Sequence, residues 1–419
     1  MEQNLLQTPF TLPCGVVIKN RLVKAAMTER MSDRNLRPTQ RLNHLYEKWA
    51  QTGAGLLLTG NAVVDPIHVE SSGNVYLGDD SVLPSLKSWA QAATSNDNQA
   101  WVQISHAGRQ TIRFSTARPL APSEVKLKLL GLFGKPRAMS EADIQQVIQG
   151  FVKAAKLCKE AGFTGVQFHS AHGYLLSQFL SPKTNHRSDQ WGGSLENRSR
   201  LLLSIIEQAR EVVGPNFPIS VKLNSSDFQR GGFTEEESLE VIQMLEGKID
   251  LLEVSGGTYE KLVFFEANDE ATEVKESTRR REAYFIEFSK KIRAVSRIPL
   301  MITGGFRSLE FCNEVLEKGE VDLIGMARPF LTNLDEIPAF LNGELDRLEN
   351  LAFRSGIKVF NSSSEGGFYA QQILRLGKGK SPKLSGNAFW AANFLILYEI
   401  RQELKKRLGK YGGRGGRKS

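Results

Sequence analysis

Eight short apolar runs, each followed by a longer stretch with helical spacing, limit this chain more than any other feature. The runs fall at 22–26, 55–59, 101–105, 165–168, 219–223, 251–254, 300–303 and 323–325, and the helix-like stretches near 39–53, 82–95, 140–161, 196–213, 235–246, 282–295, 309–318 and 334–342. Continuous apolar runs suit strands covered on both faces, and parallel strands need a crossover helix between them. Eight such units predict a (β/α)8 TIM barrel, an α/β fold. The competing doubly wound sheet would want an early GxGxxG turn between strand and helix, and none is present. Helix starts support the same phasing: Ser140-Glu141-Ala142-Asp143 is a capping-box string, and Thr234 precedes three glutamates.

The barrel pattern fills residues 1–345. Residues 8–20 precede its first strand and read as a hairpin. Two long segments, 107–139 and 256–281, leave C-terminal strand ends, where barrel active sites lie, so they are expected as substrate-covering lids, with inert surface loops as the alternative. Beyond 345 the repeat stops. A helical extension, 346–409, is expected to pack on the barrel or on a second copy of the chain, which makes a homo-oligomer a candidate assembly. A basic disordered tail, 410–419, follows.

Cys14, Cys158 and Cys312 are too few and too scattered for a disulfide framework or a cysteine metal site. The start lacks a secretory pattern and no apolar stretch reaches membrane-span length, so a cytoplasmic setting is the default expectation. The net charge of +8 sits mostly in residues 401–419, which carry eight Lys/Arg and one acid. It therefore describes a tail, whose contact with nucleic acid or membrane is disfavoured against simple solvation.

The chemistry gathers at strand ends. His169, His172 and Tyr174 lie within six residues just past the fourth run. Two imidazoles and a phenol suit holding a carbonyl oxygen while a proton is delivered beside it. A zinc pair is the alternative, but no third ligand or acidic partner is evident. Ala25-Ala26-Met27-Thr28 would let a flat ligand approach backbone. Gln103 offers a donor and an acceptor together, or a satisfied core amide. Lys222, inside an apolar strand, needs an anion: either a ligand or a barrel-interior acid.

These residues, with Trp191-Gly192-Gly193-Ser194-Leu195-Glu196-Asn197-Arg198 and His106-Ala107-Gly108-Arg109, resemble the Old Yellow Enzyme family of FMN-dependent ene-reductases over about residues 8–340. The resemblance implies that the 8–20 hairpin plugs the barrel floor. It implies bound FMN, with NADH or NADPH as reductant and an electron-poor alkene as substrate. Ala25, Ala26, Met27, Thr28, Gly60 and Gln103 would then meet the flavin, with Thr28 tuning its potential and Lys222 beside its N1 and O2. Gly304, Gly305, Gly325, Met326, Ala327 and Arg328 would form the phosphate site. His169 and His172 would hold the substrate oxygen and Tyr174 would supply the proton. Two departures stand out: Trp191 replaces the usual Tyr, and Ala327 the usual Gly.

Relatives with an iron–sulfur cluster carry cysteines after the barrel, and this chain has none beyond Cys312. A flavin-dependent dehydrogenase of another metabolite and a non-catalytic FMN-binding redox sensor stay open as alternatives.

Overall fold

In the computed structural model, which describes residues 3–128, 131–255, 286–349, 351, 353 and 358–412, eight parallel strands close into a barrel. They are β1 (Leu22–Lys24), β2 (Leu56–Val63), β3 (Gln99–Ser105), β4 (Gly165–Ser170), β5 (Ile219–Asn224), β6 (Leu251–Ser255), β7 (Leu300–Thr303) and β8 (Leu323–Met326). Each pairs with its sequence neighbour, and β8 pairs with β1 to complete the ring. Closure leaves the eight barrel strands without a free edge. The (β/α)8 reading of the pattern stands.

Helices such as Glu141–Ala161 and Leu195–Val213 bury an apolar stripe against the outer faces of the strands. The expected capping box at Ser140 forms, and a second forms at Thr234, the other expected helix start. Ser140 N–H donates to Asp143 Oδ2 at 2.7 Å, with the Asp143 N–H returning to Ser140 Oγ, and Thr234 and Glu237 exchange the same pair of bonds. Each satisfies two otherwise orphaned backbone donors and fixes where the helix begins.

The expected hairpin is Phe10–Thr11 against Val17–Ile18. Its Leu12 and Ile18 join Val23, Leu56, Leu58, Trp101, Leu251, Met301 and Leu323 in a cluster that fills the barrel floor. Gly165 is required there. A Cβ at that position would lie 2.6 Å from the Trp101 ring, which crosses beneath β4.

Several boundaries differ from the sequence expectation. β1 stops at Lys24, so Ala25 and Ala26 follow it. β2 continues to Val63, which places Gly60 within the strand, where the pairing with β3 shifts register between Leu58 and Asn61. β8 likewise runs one residue past the expected 323–325, so Met326 lies inside the strand. The last helix, Ala388–Gly412, carries through Lys410–Gly412, part of the segment expected to be disordered. It packs beside Lys358–Leu376, whose Ile373 and Leu376 join the main core. The 107–139 segment holds a short ribbon, Leu120–Ala121 with Arg137–Ala138. The second expected lid, 256–281, lies outside the described residues, as does the tail from 413.

Candidate active site at the barrel mouth

Side chains two apart on a strand share a face, so each strand that contributes an apolar residue to the floor contributes another residue one layer higher. Above Trp101, Gly165, Leu251 and Met301 come Gln103, Gln167, Glu253 and Thr303, joined by Lys222 from β5. These polar groups satisfy one another. Gln103 Nε2 donates to Gln167 Oε1 at 2.6 Å, and Gln167 Nε2 donates to Glu253 Oε2 at 2.9 Å. Glu253 Oε1 accepts from the Thr303 hydroxyl at 2.7 Å and pairs with Lys222 Nζ at 2.8 Å. Glu253 is fully buried, which is tolerable only with such partners. The barrel-interior acid considered as one partner for Lys222 is thus present.

One layer further up are the rings of His169 and His172. Their centroids are 5.1 Å apart, edge to face, and the Tyr174 ring stands 4.8 Å from His169. His169 Nδ1 accepts the Ala171 N–H at 3.2 Å, so its proton sits on Nε2. His172 Nε2 lies 2.7 Å from Ser255 Oγ, and the His172 backbone, at φ 59°, is anchored to Asn224 Oδ1. Burial, reinforced by the neighbouring Lys222 charge, pushes His172 down to about 3. Burial, His172 and Lys222 together hold His169 well below the usual imidazole range. Both rings are therefore neutral near pH 7. They act as oriented hydrogen-bonding groups rather than cations.

The rest of the expected set divides. Ala26, Met27 and Thr28 are half-buried at the mouth, while Ala25 is buried and donates its N–H to Met326 O at 2.8 Å. Gly60 N–H donates to Glu29 Oε1 at 2.7 Å. Gly304 and Gly305 both take positive φ, which favours glycine, and a Cβ on Gly304 would meet nothing within 4 Å. The Gly304 N–H, however, is already given to Gly325 O at 3.1 Å. Arg328 donates to Glu365 Oε1 at 3.0 Å and lies beside the Tyr369 phenol.

Sequence reasoning missed three acceptors. Gln167 and Glu253 carry the same signal as Lys222, a polar residue inside an apolar strand, and could have been found by it. Glu70 has no such mark. It lies in the turn-rich string Glu70-Ser71-Ser72-Gly73, yet its carboxylate accepts both the Thr28 and the Tyr174 hydroxyls.

Asp65, His68 and His106 bring possible ligand atoms within 4.8 Å of one another. Their hydrogen bonds argue against a metal. His68 Nε2 accepts the Leu120 N–H at 3.0 Å, and His106 Nδ1 accepts the Gly108 N–H at 3.1 Å. Each ring thus keeps its proton on the nitrogen facing the cluster. Burial raises the Asp65 carboxyl, but the His68 hydrogen bond and the two nearby imidazoles outweigh it and hold Asp65 below the usual carboxylate range. The trio ties the 107–139 segment to the end of β2.

A family model described as NADH:flavin oxidoreductase / NADH oxidase family matches residues 6–339. The chain is 36% identical over 347 residues to NADH-dependent flavin oxidoreductase iliE of Neonectria sp. (strain DH2), covering 78% of this chain but only 45% of that protein. It is 33% identical to its namesake in Hypocrea jecorina (strain QM6a), covering 78% of this chain and 86% of the relative. The fold superposes on an old yellow enzyme homologue from Zymomonas mobilis with a TM-score of 0.68 at 24% identity, over 83% of this chain and 95% of the other. Among the described residues no helix is long and apolar enough to cross a membrane. With the barrel, its polar mouth and the family match in agreement, the chain belongs to the NADH:flavin oxidoreductase / NADH oxidase family.

Proposed function

We propose that this protein is an FMN-dependent NAD(P)H oxidoreductase that reduces the activated C=C bond of α,β-unsaturated carbonyl compounds. The observation that carries the reading is the neutral His169–His172 pair with the Tyr174 phenol beside it, above a polar layer at the barrel mouth.

The residues present fit a flavin. Small side chains at Ala25 and Ala26 let a flat ring lie close to backbone. Lys222 keeps N–H donors beyond the one directed at Glu253, and Gln103 spends its amide N–H on Gln167 while its carbonyl is available to an imide. Thr28 is within reach of the same ligand. Arg328 with the Gly304–Gly305 turn is the candidate phosphate site, where binding would compete with Glu365 for the guanidinium. Bound FMN would take hydride from the nicotinamide and pass hydride to the alkene.

The chain's own residues supply the rest. His169 offers Nε2–H to the substrate oxygen, and His172, held by Ser255, completes the donor pair. Because both rings are neutral, they stabilise the developing enolate oxygen by hydrogen bonding without giving up a proton. Tyr174 protonates the α-carbon. General acid work of this kind contributes about 10²–10⁴ in rate.

The test is the absorption spectrum of the purified protein followed by stopped-flow kinetics with NADH and cyclohexenone. Paired near-ultraviolet and blue flavin bands and enone-dependent reoxidation are expected. A folded protein that stays colourless after incubation with FMN would overturn the proposal.

A further inference from the structure

The Glu70 carboxylate sits where two functional hydroxyls meet. Oε1 accepts from Thr28 and Oε2 from Tyr174, while Asn61 Nδ2 donates to Oε2 at 2.5 Å and Asn74 Nδ2 to Oε1 at 3.5 Å. Four donors converge on the two oxygens of one side chain, which between them have lone pairs for all four. The residues that follow it are held from an unexpected direction. Glu399, on the Ala388–Gly412 helix, accepts from Ser71 Oγ at 2.6 Å, from the Ser72 N–H at 2.8 Å and from Arg30 Nε at 3.0 Å. Arg30 in turn donates to the Thr28 carbonyl at 2.9 Å, and the Tyr398 hydroxyl donates to Arg30 O at 2.8 Å. Where the two loops touch, a Cβ on Gly73 would lie 2.6 Å from the Arg30 Cα, so only glycine permits the approach.

One carboxylate on the last helix therefore grips both loops that carry site residues: the Thr28 loop through Arg30 and the Glu70 turn through Ser71 and Ser72. The family match ends at residue 339, well before Glu399. We infer that Glu70 is a positioning residue for the Tyr174 and Thr28 hydroxyls, and that the Ala388–Gly412 helix fixes it there through Glu399. The inference rests on the proposed reading of Tyr174 as proton donor. Glu70 touches neither substrate nor flavin in this role; it sets where the phenol and the threonine hydroxyl point. The extension is then part of the active site's support, acting at a distance on the proton-delivery half of the reaction.

The test combines hydrogen exchange of the flavin-free chain with half-reaction kinetics of the flavin-loaded one. In Glu399→Gln, amides of 70–74 should exchange faster than in the wild type while the barrel strands keep their protection, because local opening is set by the bonds that close the turn. In Glu70→Gln, reoxidation by cyclohexenone should slow by roughly tenfold or more, as misplacing a reacting group does, and by clearly more than reduction by NADH, which is exposed only to the shift of the Thr28 hydroxyl. Should Glu399→Gln not fold, Ser71→Ala removes one of the same bonds from the turn side and is read by the same exchange experiment. Unchanged exchange at 70–74, or equal slowing of both half-reactions in Glu70→Gln, overturns the inference. A wild-type chain that binds FMN yet ignores enones would instead overturn the functional reading, while the exchange arm still decides the clamp.

Discussion

The floor and the mouth of the barrel are built by the same strands two residues apart, yet they are held together by different physics. The floor (Leu12, Ile18, Trp101, Leu251, Met301 and Leu323) is an apolar plug whose stability comes from area removed from water. The mouth replaces it with Gln103, Gln167, Lys222, Glu253 and Thr303, each buried polar atom leaning on another. The contrast teaches where a ligand could be held. A floor residue matters through its volume, whereas a mouth residue matters through its partner.

The largest effect that would sharpen this contrast is kinetic. Tyr174→Phe keeps the ring and its packing on His169 but removes the proton, so reoxidation by cyclohexenone should fall by about 10²–10⁴ while reduction by NADH is preserved. Stopped-flow traces with both half-reactions unaffected would remove Tyr174 from its role. Next comes stability, read by urea unfolding of the flavin-free chain. Glu253→Leu strands the Lys222 charge and should cost about 3–5 kcal/mol, and adding Lys222→Met should restore most of that loss. Leu251→Ala, two residues earlier, should cost about 2–5 kcal/mol through a cavity that no change at Lys222 repairs. If the double variant were no more stable than Glu253→Leu alone, the mouth would not be a partner-dependent network.

Much of this architecture was legible because period and burial are written locally. All eight strands, the hairpin and the Ser140 capping box follow from apolar runs and helix-start residues, and His169, His172 and Tyr174 are neighbours in sequence before they are neighbours in space. What was illegible depends on pairings across the fold. Nothing around Glu70 announces that Thr28 and Tyr174 will meet on it, and nothing in the last helix announces that Glu399 will reach Ser71. The pairing of Arg328 with Glu365 is likewise a contact between segments far apart in the chain, so a sequence motif alone presented Arg328 as open to an anion. Gly60, expected just past the second run, lies inside β2 instead; it and Gly325 sit at points of close approach, Gly60 against the Met27 backbone and the Glu29 side chain and Gly325 against Thr303.

A smaller effect separates the inside of the barrel from its outer face. Lys24 is fully buried there, donating to Leu58 O at 2.6 Å with its ammonium 4.1 Å from the Trp49 ring centroid, but it has no carboxylate in contact as Lys222 has. Burial, only partly offset by the Glu29 charge, lowers it from 10.5 to about 8. Between those values the unfolded chain holds a proton that the folded chain has released, so stability rises with pH, and the gain is lost as pH falls through 8. Relative to Lys24→Met, the wild type should gain about 2 kcal/mol between pH 7.5 and 9.5. A pH-independent difference between the two would mean that Lys24 keeps an ordinary affinity for its proton.

The smallest expected effect is an absence of change, and it tests the mouth most directly. With His172 down at about 3 and His169 also well below its usual range, neither imidazole titrates near neutrality. Protonation would require a cation beside Lys222 in a buried layer, where the desolvation cost exceeds what the ring can recover from Ser255. The enone reoxidation rate should therefore stay within about twofold from pH 5.5 to 8, whereas an ordinary imidazole would produce an inflection near 6.5. Such an inflection, abolished by His172→Asn, would show that the ring acts as an acid. The proton assigned to Tyr174 would then have a second source, and the separation between oriented donors and the proton-giving phenol would fail.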